Sequence, residues 1–127
     1  MVEFGGPTMG VDWTVKALAS AAFDLAAAQG AVQAALNTVV AQMSPWERDS
    51  DISRFNGAAA GAWTDLPPAF AHVLERALHW ARLSDGAFDP TVGRLVDLWG
   101  FGPPGAVDAP PSDAAIAEAL AAIEGMQ

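Results

Sequence analysis

From Val11 the chain alternates strictly, with Val11, Trp13, Val15 and Ala17 apolar and Asp12, Thr14 and Lys16 polar between them, which predicts a half-buried strand running to Leu18. From about Phe23 the period lengthens. Val32, Leu36, Val39 and Met43 recur at spacings of three and four with Gln33, Asn37 and Gln42 between them, the pattern of an amphipathic helix that Ser44-Pro45 ends. A second helix is expected to start at Leu66-Pro67-Pro68 and to carry an apolar stripe of Phe70, Val73, Leu74, Ala77, Leu78 and Ala81, closing near Ser84-Asp85-Gly86. Glu75, Arg76 and Arg82 face water in that arrangement. A shorter helix is predicted from about Pro90 to Trp99, with Val92, Leu95, Val96 and Trp99 inward. A last one, Ala114 to Ile123, follows the Ala109-Pro110-Pro111 linker, with Ser112 as its N-cap. Asp49 to Gly57 is a polar, turn-rich run able to hold a short helical turn, closed by Asn56-Gly57, and Gly57 to Gly61 is a loop. One strand among four or so helices makes the class α+β, helix-rich with few strands. A lone strand needs partners, so it belongs to a larger fold or pairs with another chain.

Composition narrows the classes. The 127 residues fit one domain, and 52% hydrophobic content supplies a core. The net charge of −9, with only six Lys and Arg scattered singly, leaves no basic stripe to neutralise a phosphate backbone, so nucleic acid is not a partner. No Cys is present for a disulfide, a thiolate metal site or a lipid anchor. The apolar run Ala17 to Met43 is broken by Asp24, Gln29, Gln33 and Asn37 and is largely Ala, which fits a buried helix rather than a membrane span. Met1 to Pro7 has neither the basic nor the apolar region of a secretory signal.

The richest segment is Ser84 to Gly93, continuing through Leu98-Trp99-Gly100-Phe101-Gly102. Gly86 suits a positive φ, Asp89 is a good N-cap and Pro90 then falls at the first helical position. A helix start of that kind suits an anionic group. Three other signals carry less. Gly100 to Gly105 matches GxGxxG by letters, but it follows a helix, and two prolines remove the N–H donors a pyrophosphate needs. His72 and His79 stand seven residues apart on a helix, about 10.5 Å along its axis, too far to share one ion without a third element. Ser44, Ser50, Ser53 and Ser84 have no nearby His in sequence to activate them.

Three separated segments together resemble the ApbE family of FAD:protein FMN transferases. Gly6-Pro7-Thr8-Met9-Gly10-Val11-Asp12-Trp13 is similar to the family's opening Met-Gly-Thr motif. Met43-Ser44-Pro45-Trp46 through Asp49-Ser50-Asp51-Ile52-Ser53-Arg54-Phe55-Asn56 is similar to its Met-Ser-x-aromatic and Ser-x-Ile-Ser-x-Phe-Asn run. Asp85 to Gly93 with Leu98 to Gly102 resembles its Gly-Ala-Phe-Asp-Pro-Thr-Val block and Trp-Gly-Phe exit. Val11 stands where the family usually has Thr, and Asp85 where it often has a second Gly.

The resemblance implies a partial T-fold-like domain, with residues 1–127 forming the N-terminal part of a flavin transferase domain whose C-terminal half is absent. It implies that the full-length protein cleaves FAD, attaches FMN through a phosphoester to a Thr of a target flavoprotein and releases AMP. It places Met9, Trp46, Ala87, Phe88 and Asp89 against FAD, with Asn56 a weaker candidate; Trp99, by its place in the apolar stripe, belongs to the core. Mg²⁺ is expected, with its ligands in the missing half, and a complementing C-terminal half is a candidate partner. Alone, the chain is expected to be inactive or nearly so. The alternatives are an FAD-binding module without transfer and a purely structural helical domain. Family members commonly work in the bacterial envelope, but no export signal or anchor cysteine in this chain assigns it a compartment.

Overall fold

The computed structural model of the chain describes residues 1–124, which fall into two compact units divided after Ala60. In the first unit, β1 (Val2–Thr8) and β2 (Val11–Ala17) form an antiparallel hairpin, followed by α1 (Leu25–Met43) and α2 (Asp51–Gly57). The second unit holds α3 (Pro68–Leu83), α4 (Gly93–Leu98) and α5 (Asp113–Glu124).

The strand expected from Val11 is β2, and its partner is one that the pattern did not announce. β1 contains Gly5-Gly6-Pro7, residue types depleted in strands, yet it pairs along its whole length from Val2↔Ala17 to Thr8↔Val11. The register puts Val2, Phe4, Gly6 and Thr8 on the same face as Ala17, Val15, Trp13 and Val11. Phe4 meets Trp13 edge-on at 6.0 Å and Phe23 at 6.3 Å on that face. Glu3 and Lys16, cross-strand partners, form an exposed 3.4 Å ion pair.

The polar residues that break up the apolar run of α1 are the ones that dock the hairpin. Gln33 accepts from Trp13 Nε1 at 2.9 Å and donates to Pro7 O at 3.0 Å, while Gln29 donates to Gly5 O at 2.5 Å. Asp24, which also interrupted that run, is the N-cap of α1, accepting from Ala27 N at 2.9 Å. Ser44 ends the helix as expected. Among the described residues no helix is long and apolar enough to cross a membrane.

Among the described residues of the second unit Phe70, Ala119 and Ile123 are the buried apolar ones, and α4 packs against α5 with an Arg94–Glu118 bridge of 2.8 Å at the surface. The α3 stripe is narrower than expected, because Val73 and Leu78 are exposed while Leu74, Ala77 and Ala81 are half-buried. Ser112 caps α5, accepting from Ala115 N at 3.3 Å. Trp99, Val96 and Val92 are also exposed, which corrects the expectation that they face inward. A six-residue helix offers less than two turns, and Leu95 and Leu98 already occupy its inner side.

Both α3 and α4 end in the same cap. Gly86 N–H reaches Ala81 O at 3.0 Å and Asp85 N–H reaches Arg82 O at 3.3 Å, while Phe101 N–H reaches Val96 O and Gly100 N–H reaches Asp97 O, both at 3.0 Å. This is the Schellman pattern, whose pivot takes a left-handed backbone. Gly100 supplies it at φ 77°, whereas Asp85 must adopt φ 51° with a side chain attached. Asp85→Gly is therefore expected to raise the stability of the second unit by about 0.5–1 kcal/mol, read as a higher urea midpoint at unchanged slope. No gain would mean that Asp85 holds its conformation through a contact of its own side chain.

Candidate functional site

Met9 and Gly10 are the two loop residues of the β1–β2 hairpin, and both have positive φ, 49° and 77°. This is the type I′ turn, which follows the twist of the strands and is normally made by Asn-Gly. Gly10 fits it freely. Met9 does not: an unbranched side chain in the left-handed region costs about 1 kcal/mol, and no burial repays it, since Met9 is 57% exposed. Directly before the turn, the Thr8 hydroxyl is out of contact with water and has no hydrogen-bond partner among the described residues.

Trp46 sits in the turn between α1 and α2 and is 64% exposed. What holds this turn is Ser50, 1% exposed, whose hydroxyl donates to Ser44 O at 2.7 Å and accepts from Ser53 N at 3.2 Å. Ser53 adds a bond from its hydroxyl to Glu47 O at 2.8 Å. Ser50 is also the N-cap of α2. The two serines, which belong to the Ser-x-Ile-Ser-x-Phe-Asn run and have no nearby His in sequence, are structural: they brace a platform from which an indole projects.

In the second unit Ala87, Phe88 and Asp89 follow the α3 cap. Ser84 fixes their path, accepting from Ala87 N at its carbonyl (3.1 Å) and from Phe88 N at its hydroxyl (3.0 Å). Ala87 and Phe88 are exposed and Asp89 is half-buried. Asp89 Oδ1 accepts from Thr91 Oγ1 at 2.6 Å and from Thr91 N at 2.8 Å. The Thr91 hydroxyl, and after it the Thr91 amide, hold the Asp89 carboxyl below the usual carboxylate range. Asp89 Oδ2 makes no hydrogen bond among the described residues.

This geometry corrects one expectation. Asp89 is not the N-cap of α4 and Pro90 is not its first residue: the helix begins at Gly93, after Val92. Asp89 takes the donors of the residue two places on and closes an Asx turn, which lets the chain turn once more before the helix starts. A helix that starts four residues later and spans six does not provide an anion site at Asp89.

The candidates thus divide between the units, Met9 and Trp46 on the surface of the first and Ala87, Phe88 and Asp89 on the second. Asn56 lies exposed within α2. Among the described residues no group of three or more His, Cys, Asp or Glu is able to hold a metal ion, so these residues do not by themselves fit Mg²⁺. Gly100 and Gly105 have positive φ and Gly102 is buried, so the GxGxxG letters reflect the α4 cap and the loop after it.

Comparison with known proteins bears on the same segments. The profile of the ApbE family matches residues 9–127. The FAD:protein FMN transferase of Vibrio cholerae is 35% identical over 127 residues, covering 99% of this chain and 38% of the relative. That of Haemophilus influenzae is 33% identical over 121 residues, covering 93% of the chain and 35% of the relative. Among solved structures, the flavin transferase ApbE from Vibrio cholerae superposes with a TM-score of 0.89 at 34% identity, over 94% of this chain and 39% of that one. The Pseudomonas stutzeri flavinyl transferase ApbE, apo form, superposes with a TM-score of 0.86 at 37% identity, over 94% and 40%. The chain spans well under half the length of these relatives, and it belongs to the ApbE family.

Proposed function

We propose that this chain is the FAD-binding N-terminal portion of an FAD:protein FMN transferase. In the whole protein a Thr hydroxyl of a target flavoprotein attacks the FMN phosphorus of FAD. A Thr O–P bond forms, the pyrophosphate P–O bond breaks, AMP leaves with the electron pair, and the hydroxyl proton is released to solvent. Catalysis of such a step rests on positioning and on neutralising phosphate charge. A divalent cation would supply the latter if held by ligands outside the residues described here, and a polypeptide carrying the rest of the family fold would complete the cleft.

What this chain contributes is ring binding and orientation. In the first unit the Met9 thioether and Trp46 indole offer apolar, polarizable surface to a flat ring; in the second, Phe88 offers an apolar ring of its own beside the small Ala87. Asp89 remains ionised because Thr91 stabilises its charged form. Its free oxygen therefore accepts from neutral donors, a ribose hydroxyl or the adenine amine, and repels the pyrophosphate.

The observation that carries this reading is Met9, an exposed side chain kept in a left-handed conformation that neither packing nor turn chemistry asks of a methionine. Met9→Asn is expected to stabilise the hairpin, because Asn-Gly is the preferred type I′ pair, and to weaken FAD at least tenfold, about 1.4 kcal/mol. Calorimetric titration with FAD, with and without Mg²⁺, reads the affinity and thermal unfolding reads the stability. Unchanged FAD affinity in Met9→Asn, or no saturable binding to the parent chain at millimolar FAD, would overturn the assignment.

A further inference from the structure

The turn that carries Trp46 has both of its flanking carbonyls bonded twice. Ser44 O accepts from Glu47 N at 3.2 Å, closing a β-turn with Pro45 and Trp46 at its centre, and from the Ser50 hydroxyl at 2.7 Å. Glu47 O accepts from Ser50 N at 3.1 Å, which closes the next turn, and from the Ser53 hydroxyl at 2.8 Å. In each case a backbone N–H takes one lone pair and a serine hydroxyl the other. The two turns run directly from α1 to α2: Ser44 N still bonds Val40 O at the end of the first helix, and Ser50 caps the second. Pro45 fixes its own φ between them. The backbone before and after Trp46 is thus pinned to both helices, which leaves the side-chain torsions of the indole to be ordered.

A β-turn closes with its backbone bond alone. The hydroxyls come in addition, and Ser50, at 1% exposed, has given up water to make its bonds. Backbone that is fixed before a ligand arrives spares binding the entropy of ordering it. We propose that Ser50 and Ser53 are positioning residues for FAD, holding Trp46 in the place from which its indole meets a ring of the dinucleotide. The inference rests on the FAD-binding role proposed above for Trp46. It assigns a share of the affinity to two hydroxyls that act through the indole, one bonded to the carbonyl before the Pro45-Trp46 pair and one to the carbonyl after it. Ser50 also caps α2, so its loss mixes folding with binding. Ser53 separates them: its hydroxyl bonds Glu47 O, while the donor that Ser50 caps is its backbone N–H, which any residue keeps.

The test is calorimetric titration of the whole chain with FAD, alongside Ser53→Ala, Ser53→Thr, Trp46→Ala and the double variant Ser53→Ala/Trp46→Ala, with thermal unfolding of each. Ser53→Ala is expected to weaken FAD about fivefold, within the net worth of one hydrogen bond, at a nearly unchanged unfolding midpoint. Ser53→Thr keeps the hydroxyl and restores the affinity. Trp46→Ala is expected to weaken FAD about tenfold through the lost ring contact. Adding Ser53→Ala to it then changes nothing further, because the hydroxyl has no indole left to place. Full affinity in Ser53→Ala, a loss that threonine does not reverse, or an equal loss with and without Trp46 would overturn the positioning role and leave Trp46 in the site. A parent that binds no FAD, or a Trp46→Ala variant that binds as the parent does, would overturn the reading of the site and this inference with it.

Discussion

Gly5→Ala is expected to destabilise the first unit by about 3 kcal/mol or more, the upper end of what overpacking costs. A Cβ on Gly5 would stand 2.2 Å from Trp13 O and 3.4 Å from Thr14 Cα, both atoms of the opposing backbone. No rotamer change relieves that contact, so β1 and β2 must separate there, and the Gln29 bond to Gly5 O moves with them. The neighbouring glycine provides the control. A Cβ on Gly6 meets Gln33 Oε1 at 2.6 Å and Trp13 Nε1 at 3.2 Å, the far ends of two side chains that can shift. Gly6→Ala is therefore expected to cost about 1 kcal/mol, mainly through the Trp13–Gln33 bond. Urea unfolding with amide exchange in residues 2–17 separates the two. Equal losses for both variants would mean that the strands slide past the added methyl, and would refute the backbone-contact account.

The same tripeptide explains why β1 was not legible in the sequence. Gly5, Gly6 and Pro7 each argue against a strand by propensity; the two glycines are required by contacts that only the folded hairpin contains, and the proline is tolerated by its place in it. Gly5 admits the Trp13 carbonyl, Gly6 leaves room for the Trp13–Gln33 bond, and Pro7 occupies an outward edge position. Among the helices, by contrast, α1 and α3 were legible from apolar period, because their stabilising contacts follow the repeat. Their starts were less so. Asp24 and Ser50 cap helices as Ser112 does, but only Ser112 follows a proline-rich break that isolates it. Asp89-Pro90-Thr91 is compatible with a helix cap and with an Asx turn, and the Thr91 hydroxyl decides for the turn.

Little of the candidate site follows from local pattern. Met9 precedes a glycine between two strands, but without β1 the two-residue loop cannot be recognised and its left-handed backbone stays hidden. Trp46 in a proline turn reads as packing until the buried Ser50 shows what braces the turn and leaves the indole outside. Ala87 to Asp89 were identified through the family resemblance, and the structure adds which Asp89 oxygen is committed to Thr91.

Gly100→Ala is expected to destabilise the second unit by about 3 kcal/mol, through two contributions that the structure separates. The residue sits at φ 77°, which costs an L side chain about 1 kcal/mol. Its new Cβ would also lie 2.7 Å from Val107 N and 3.1 Å from Ala106 Cα, where the loop after α4 folds back over the cap, and crowding of backbone adds roughly 1–3 kcal/mol. Gly105, at φ 93° with open space around it, carries only the first contribution, so Gly105→Ala is expected to cost about 1 kcal/mol. Asp85 shows that a side chain at this cap position is tolerated where nothing stands in its way. The cap conformation therefore does not demand glycine at Gly100; the returning loop does. Urea midpoints for Gly100→Ala and Gly105→Ala decide between these causes. A loss at Gly100 no larger than at Gly105 would mean that the 101–107 loop lifts from the cap without penalty, leaving backbone conformation as the sole constraint on that residue.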